Sequence, residues 1–187
     1  MKILTGRLRG RILLFKPNSH LRPTSDKVRK ALFDTLKGAV EGKNVLDLFS
    51  GTGALGFEAL SGGAADVTFV ENDRNQCRKI EENIRGLGLE DQARVWNGDV
   101  EEALGIFASK ARYFDIVFLD PPYGKNLGLQ TLTSLSKLSL VPEGGFIVLE
   151  SRKGEMLPER CGLFRAVKAK RYGDTQITIY QRNPVSI

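Results

Sequence analysis

The chain has 187 residues, enough for one domain with a small extension and a core of ordinary size. At 41% hydrophobic and 27% charged it reads as a soluble globular protein. It has no apolar run near the roughly 20 residues a membrane span needs, and its two cysteines and one histidine exclude a zinc site of ordinary composition.

The net charge is +6 and the pI about 9.4. Residues 1–43 hold eleven lysines and arginines against Asp26, Asp34 and Glu41, a local charge of +8, so the remainder carries −2. An N-terminal arm this basic, and led by arginine, points to phosphate and so to nucleic acid; the plainer reading is a solvated surface. The start "MKILTGRLRGR" lacks the apolar stretch of a secretory signal, and Cys77 and Cys161 form no CxxC pair. Both features suggest a cytoplasmic protein with reduced thiols.

In chain order, "KILTG" (2–6) and "RILLF" (11–15) suggest a short hairpin, and "KPNSHLRP" (16–23) a loop containing the lone His20, read as a surface residue. A helix opens at Thr24 or Ser25, with Val28, Ala31, Leu32, Thr35 and Leu36 on one face, and stops at Gly38 or Gly42. From Asn44 the pattern alternates. Strands are expected at 44–49, 66–71, 93–99, 114–120 and 144–151. Helices fall between them, one of them at 73–88 with Cys77, Ile80, Ile84 and Leu87 on one side. Trp96 belongs to the core side of the third strand. "LFRAVKAKRYG" and "TQITIYQR" read as a closing hairpin around Gly173 and Asp174. Such alternation predicts a Rossmann-like, doubly wound, mostly parallel α/β sheet with an antiparallel C-terminal hairpin. The small basic extension covers 1–43 and the α/β unit 44–183.

Two loops lie at the carboxyl ends of expected strands, where such sheets bind ligands. In "LDLFSGTGALG" (46–56), Gly51 and Gly53 let backbone approach a ligand, with Ser50 beside them. Glu71, about 20 residues on at the end of the second strand, suits a ribose diol. Alone this fits a nicotinamide-dependent oxidoreductase as well as a methyl-donor site. Asp47 tilts it: a carboxylate ahead of the glycines suits a cationic ligand end, an α-amino group or a sulfonium, better than a pyrophosphate. Asp99, in "NGDV", can accept an adenine amino hydrogen.

The second loop is "DPPY", Asp120 to Tyr123. "VLDLFSGTGALG", "FVEND", "NGDV" and "DPPY" together resemble a class I S-adenosylmethionine-dependent methyltransferase, and "DPPY" resembles the motif of enzymes that methylate exocyclic amines of bases. With "GRLRGR" and "LRPTSDKVRKALFDTL", the chain resembles the RsmD family, which methylates N2 of a guanine in 16S ribosomal RNA. The resemblance reaches from the arm to "RYGDTQITIY"; Lys30 departs from it, where a glutamate is expected. It implies a seven-stranded methyltransferase sheet and S-adenosylmethionine held by Asp47, Ser50, Gly51, Gly53, Glu71, Asn72, Asp99, Val100 and Asp120. It also implies a partner in small-subunit ribosomal RNA or the assembling 30S subunit, with no metal and no membrane, and a monomer.

The chemistry accounts for the motif. A base amine is a poor nucleophile, because its lone pair is delocalised into the ring. Asp120 and the carbonyl of Pro121 can accept its two hydrogens and favour a pyramidal nitrogen. Pro121 and Pro122 lock φ and hold their predecessors extended, so the acceptors are set before substrate arrives. Tyr123 offers a face to an extruded base. Arg7, Arg9, Arg11, Arg22 and Arg29 are candidates for RNA phosphate, and Lys168, Lys170 and Arg171 either extend that surface or form a solvated strand face. The competing readings are a DNA adenine-N6 or cytosine-N4 methyltransferase, an NAD-dependent oxidoreductase and a non-catalytic RNA-binding module.

Overall fold

The computed structural model of the chain describes residues 1–15, 25–123 and 126–183. His20 and Arg22 lie outside the described residues. The first helix is α1 (Asp26–Thr35), followed by β1 (Asn44–Leu48), α2 (Ala54–Ser61), β2 (Asp66–Glu71), α3 (Arg74–Leu87) and β3 (Ala93–Asn97). Then come α4 (Val100–Ser109), β4 (Ile116–Leu119), α5 (Leu127–Lys137), β5 (Phe146–Arg152), β6 (Arg160–Cys161), β7 (Phe164–Tyr172) and β8 (Thr175–Arg182). Each expected strand of the alternating region is present, β2 with the expected bounds and the others trimmed or shifted by a few residues.

All eight strands form one sheet in the order β3-β2-β1-β4-β5-β8-β7-β6. The first five pair in parallel and the last three run antiparallel. The expected seven strands are joined by an eighth, β6, a two-residue strand paired only with Phe164 and Arg165. Two residues are too short for any alternation to register. From β1 the chain moves outward through β2 to β3, then crosses back to lay β4 on the other side of β1. The strand order therefore reverses between β1 and β4, the place where sheets of this kind bind ligands at the carboxyl ends of their strands.

Both faces of the parallel sheet are covered, so its strands are apolar throughout. Val45, Phe69, Ile116, Phe118 and Val148 pack with α1, α2 and α3. Leu46, Leu48, Val117, Leu119 and Leu149 pack with α4 and α5. Helix α1 begins where Ser25 accepts from the Val28 amide at 3.3 Å, and Phe33 carries it onto the sheet 5.7 Å from the Phe118 ring.

The N-terminal hairpin is narrow. Lys2 bridges Ile12, and Ile3 and Leu13 are buried on the α1–α3 side. It runs the length of α2. Met1 Sδ lies 3.8 Å from Thr52 Oγ1 at the helix start, and the Arg7 amide donates to Ser61 O at 2.8 Å at its end. Gly6 makes that closeness possible: φ is +70°, and a Cβ there would fall 2.0 Å from Ser61 O.

Candidate active site

Both loops singled out in the sequence meet at the switch point. The β1 loop is tightly coiled, with positive φ at Phe49 (56°), Gly51 (53°) and Gly53 (75°). Phe49 is the one residue of the three for which that conformation is strained, a feature that clusters at functional loops. Ser50 holds the coil to the sheet: its hydroxyl donates to Asp47 O at 2.6 Å and accepts from the Val70 amide at 3.0 Å. Its main chain is engaged as well, the amide donating to Val70 O at 3.0 Å and the carbonyl accepting from the Gly53 amide at 2.7 Å, so Ser50 shapes the coil around the expected cofactor site.

Asp47 lies on β1 in step with Val45, facing the α1–α3 side. It accepts from the Gly56 amide at 2.9 Å. Burial pushes its pKa up to about 8, against the lowering effect of the Gly56 amide, with the neighbouring Glu71 adding a further rise. Gly56 must be glycine, because a Cβ there would fall 2.2 Å from the Phe69 ring.

Glu71 closes β2. Oε2 accepts from the Gly51 amide at 2.7 Å and Oε1 from the Asp73 amide at 2.8 Å. These two donors hold the carboxylate plane in place ahead of any ligand. Asn97 ties the ends of β2 and β3 together, its Nδ2 donating to Glu71 O at 3.1 Å and Asn72 O at 3.3 Å. Asp99 is exposed and caps α4: Oδ1 accepts from the amides of Glu101 at 2.8 Å and Glu102 at 3.3 Å. Val100, next to it, is buried. Trp96 is half-buried, stacked edge-on to Phe107 at 5.6 Å. Cys77 and Cys161 are free thiols, and burial raises Cys77 to about 11.

The DPPY loop follows β4. Pro121 holds Asp120 extended, so the strand alternation continues one residue past Leu119 and Asp120 falls on the side of Phe118. Pro121 is buried and Pro122 exposed. Tyr123 is anchored at its far end. Its hydroxyl donates to Glu150 Oε1 at 2.9 Å and lies 3.4 Å from Thr175 Oγ1. Burial pushes its pKa up to about 12, with Glu150 and Asp120 adding to the rise against the lowering effect of Thr175, so the hydroxyl stays a donor. Glu150, on β5, is 5% exposed and was not singled out in the sequence, where it is only the acid ending an apolar run. The α1–α3 side of the sheet thus carries Glu71, Asp47, Asp120 and Glu150 at the ends of β2, β1, β4 and β5.

The arm is divided. Arg7, Arg9 and Arg11 are exposed at the hairpin tip, with Arg7 donating to Gln92 Oε1 at 2.8 Å and Arg11 to Gly86 O at 3.3 Å. Gln92 precedes β3 and Gly86 lies near the end of α3, so the tip sits at the amino ends of the strands, opposite the two loops. Arg29 corrects its expectation. It is 1% exposed and inside the fold, pairing with Glu58 at 3.1 Å and Asp26 at 3.0 Å and donating to Lys2 O at 2.7 Å. A guanidinium so enclosed cannot meet an RNA phosphate.

The fold is that of a class I S-adenosylmethionine-dependent methyltransferase. The site's acceptors fit that cofactor: Asp47 is a buried acid that a cationic ligand end would complete, and the Glu71 carboxylate is pre-aimed. The chain belongs to the family described as Conserved hypothetical protein 95, whose model matches residues 1–181. It is 35% identical to ribosomal RNA small subunit methyltransferase D of Haemophilus influenzae over 184 residues, 97% of this chain and 93% of that one. The Escherichia coli protein of the same name is 34% identical, over 97% of this chain and 90% of its own. The solved structure of yhhF from Escherichia coli superposes with a TM-score of 0.86 at 34% identity, covering 98% of each chain. The resemblance stated from the motifs therefore holds along almost the whole chain.

Proposed function

We propose that this protein methylates the N2 amine of a guanine in small-subunit ribosomal RNA. The observation that carries the amine is the DPPY loop set across the switch point from Asp47, with its acid and its ring on the side of the sheet where Asp47 and Glu71 stand. Ribosomal RNA is the substrate named for the relatives, and the guanine rests on the family resemblance.

When bound, S-adenosylmethionine supplies a methyl group on a positively charged sulfur. Asp47 and the Gly51 and Gly53 backbone would hold its amino-acid end. Glu71 would take the ribose hydroxyls, and Asn72, Asp99 and Val100 would border the adenine. Asp120 accepts one hydrogen of the target amine and the Pro121 carbonyl the other. That arrangement would aim the nitrogen lone pair at the bound cofactor, and Asp120 would take the proton the amine gives up in exchange for the methyl group, whose bond to sulfur breaks as the bond to nitrogen forms. Preorganised polar groups of this kind contribute about 3–4 kcal/mol each to rate. The Tyr123 ring receives the base. Residues 1–43 serve as an RNA arm on the catalytic unit 44–183, with Arg7, Arg9 and Arg11 reaching phosphates distant from the target.

The test is mass mapping of nucleosides after incubating the protein and cofactor with unmodified 16S ribosomal RNA, naked and in assembling subunits, and in parallel with unmethylated duplex DNA. A single N2-methylguanosine supports the reading. Asp120→Ala forms none while calorimetry still shows cofactor binding. Methylated adenine or cytosine in DNA, with no RNA product, transfers the assignment to a DNA methyltransferase.

A further inference from the structure

We propose that β7 and the depression between it and α1 grip the substrate strand beside the target nucleotide, with Lys168 and Lys170 on its phosphodiester oxygens. The inference rests on the RNA reading above and names a surface that reading does not.

A β-bulge creates the surface. Ala166 pairs with Tyr180, but Lys168, not Val167, pairs with the next residue inward, Ile179. The extra residue flips every later side chain of β7 to the other face. Without it, Val167, Ala169 and Arg171 would share the side of Ile179 and Ile177. With it, Lys168 pairs with Ile179, Lys170 with Ile177 and Tyr172 with Thr175. Arg171 falls on the opposite face, where its Nε donates to Gln176 Oε1 at 3.2 Å.

The result is a shallow depression open to solvent. Leu32 of α1 forms one wall, Ile177 and Ile179 the floor, and Lys168, Lys170 and Tyr172 the other wall. Both lysines are exposed. β7 carries Arg165, Lys168, Lys170 and Arg171, and neither β7 nor β8 contains an acid. Apolar floor, aromatic ring and paired ammonium groups are the elements that hold an unstacked nucleotide and its phosphates.

The depression leads to the site. Tyr172 pairs with Thr175, whose Oγ1 lies 3.4 Å from the Tyr123 hydroxyl. Same-face residues on a strand are about 7 Å apart, so Lys170 and Lys168 stand about 7 and 13 Å along β7 from Tyr172. Among the described residues the outer side of this stretch is unpaired, since β6 reaches only Phe164 and Arg165. The arginine hairpin tip, at the other end of α2, borders no such path. Lysines on an edge strand also discourage strand pairing, but that role requires no RNA.

The experiment measures methyl transfer to small-subunit ribosomal RNA by wild type, Lys168→Met/Lys170→Met and Lys168→Arg/Lys170→Arg. Methionine keeps the apolar stem over Ile177 and Ile179 and removes the charge, and thermal unfolding checks that each variant folds. We expect the methionine variant to raise KM for RNA about tenfold or more with kcat near wild type, and arginine to restore it. The slope of log affinity against log salt concentration should shrink by about 1.4 for two single-strand phosphates. If wild type transfers methyl to the RNA and the methionine variant matches it in KM and slope, the surface is wrong and the function stands. If wild type transfers none, the function fails and the surface with it.

Discussion

Arg29 and Glu58 form a buried ion pair at 3.1 Å, each side chain 1% exposed. Glu58 is the hub. Its Oε1 also accepts from the Leu4 amide at 2.7 Å, and its Oε2 accepts from the Thr5 amide at 3.0 Å and the Thr5 hydroxyl at 2.7 Å. One carboxylate on α2 thereby fixes both the hairpin and α1 to the catalytic unit.

Removing one member of such a pair leaves the other charge buried without its main partner. Glu58→Ala should destabilise the protein by about 3–5 kcal/mol, read as a shift in the urea midpoint. Protection of the Leu4 and Thr5 amides from hydrogen exchange should be lost first, because Glu58 is their acceptor.

Asp47 gives the free protein a pH dependence of definite sign. Its folded pKa of about 8 lies above the ordinary 3.8, so folding favours the protonated form. This stabilisation is complete below about pH 4 and is lost as pH rises to about 8. Asp47→Asn should flatten that slope in urea titrations between pH 5 and 9. The same variant should bind S-adenosylmethionine about 10–100-fold more weakly, the loss of a charge-assisted hydrogen bond. Wild type should release close to one proton on binding at pH 7, seen by calorimetry in buffers of different ionisation enthalpy.

Tyr123 separates ring from hydroxyl. Tyr123→Ala should lower kcat/KM by about 10–100-fold, consistent with about 1–3 kcal/mol of base stacking. Tyr123→Phe keeps the ring but removes the donor to Glu150, so it should lose about 1.5–3 kcal/mol of stability and a smaller share of activity. If Glu150 acts through that hydroxyl, Tyr123→Phe and Glu150→Gln will be non-additive in a double-mutant cycle on kcat/KM.

The hairpin tip should bind RNA without touching the chemistry. Neutralising Arg7, Arg9 and Arg11 should weaken RNA binding and flatten its salt dependence, leaving kcat unchanged. An unaltered slope removes the tip from the RNA interface.

Much of the site was legible because its signals are local. Proline fixes its own φ and its predecessor's, so "DPPY" carries its geometry wherever it stands. Gly51 and Gly53 mark a coil, and apolar runs of strand length between helical periods mark a parallel sheet. From these followed the α/β order and the two loops at the carboxyl ends of strands, which the sheet makes neighbours.

Other features depend on partners far along the chain. Arg29 sits in a run of cations with Lys27 and Lys30 and reads as one of a set, yet Glu58, 29 residues later, draws it alone into the interior. Glu150 ends an apolar strand and acquires its role only when Tyr123, 27 residues earlier, is folded against it. The placement of Lys168 and Lys170 turns on one extra residue at Val167, a shift that alternation in the sequence does not reveal. Backbone preference and hydrophobic period are properties of neighbouring residues, and the sequence by itself determined the elements and the chemistry they carry. Burial of a charge, the anchoring of a ring and the face a strand presents depend on contacts between distant segments, and only the tertiary structure decided them.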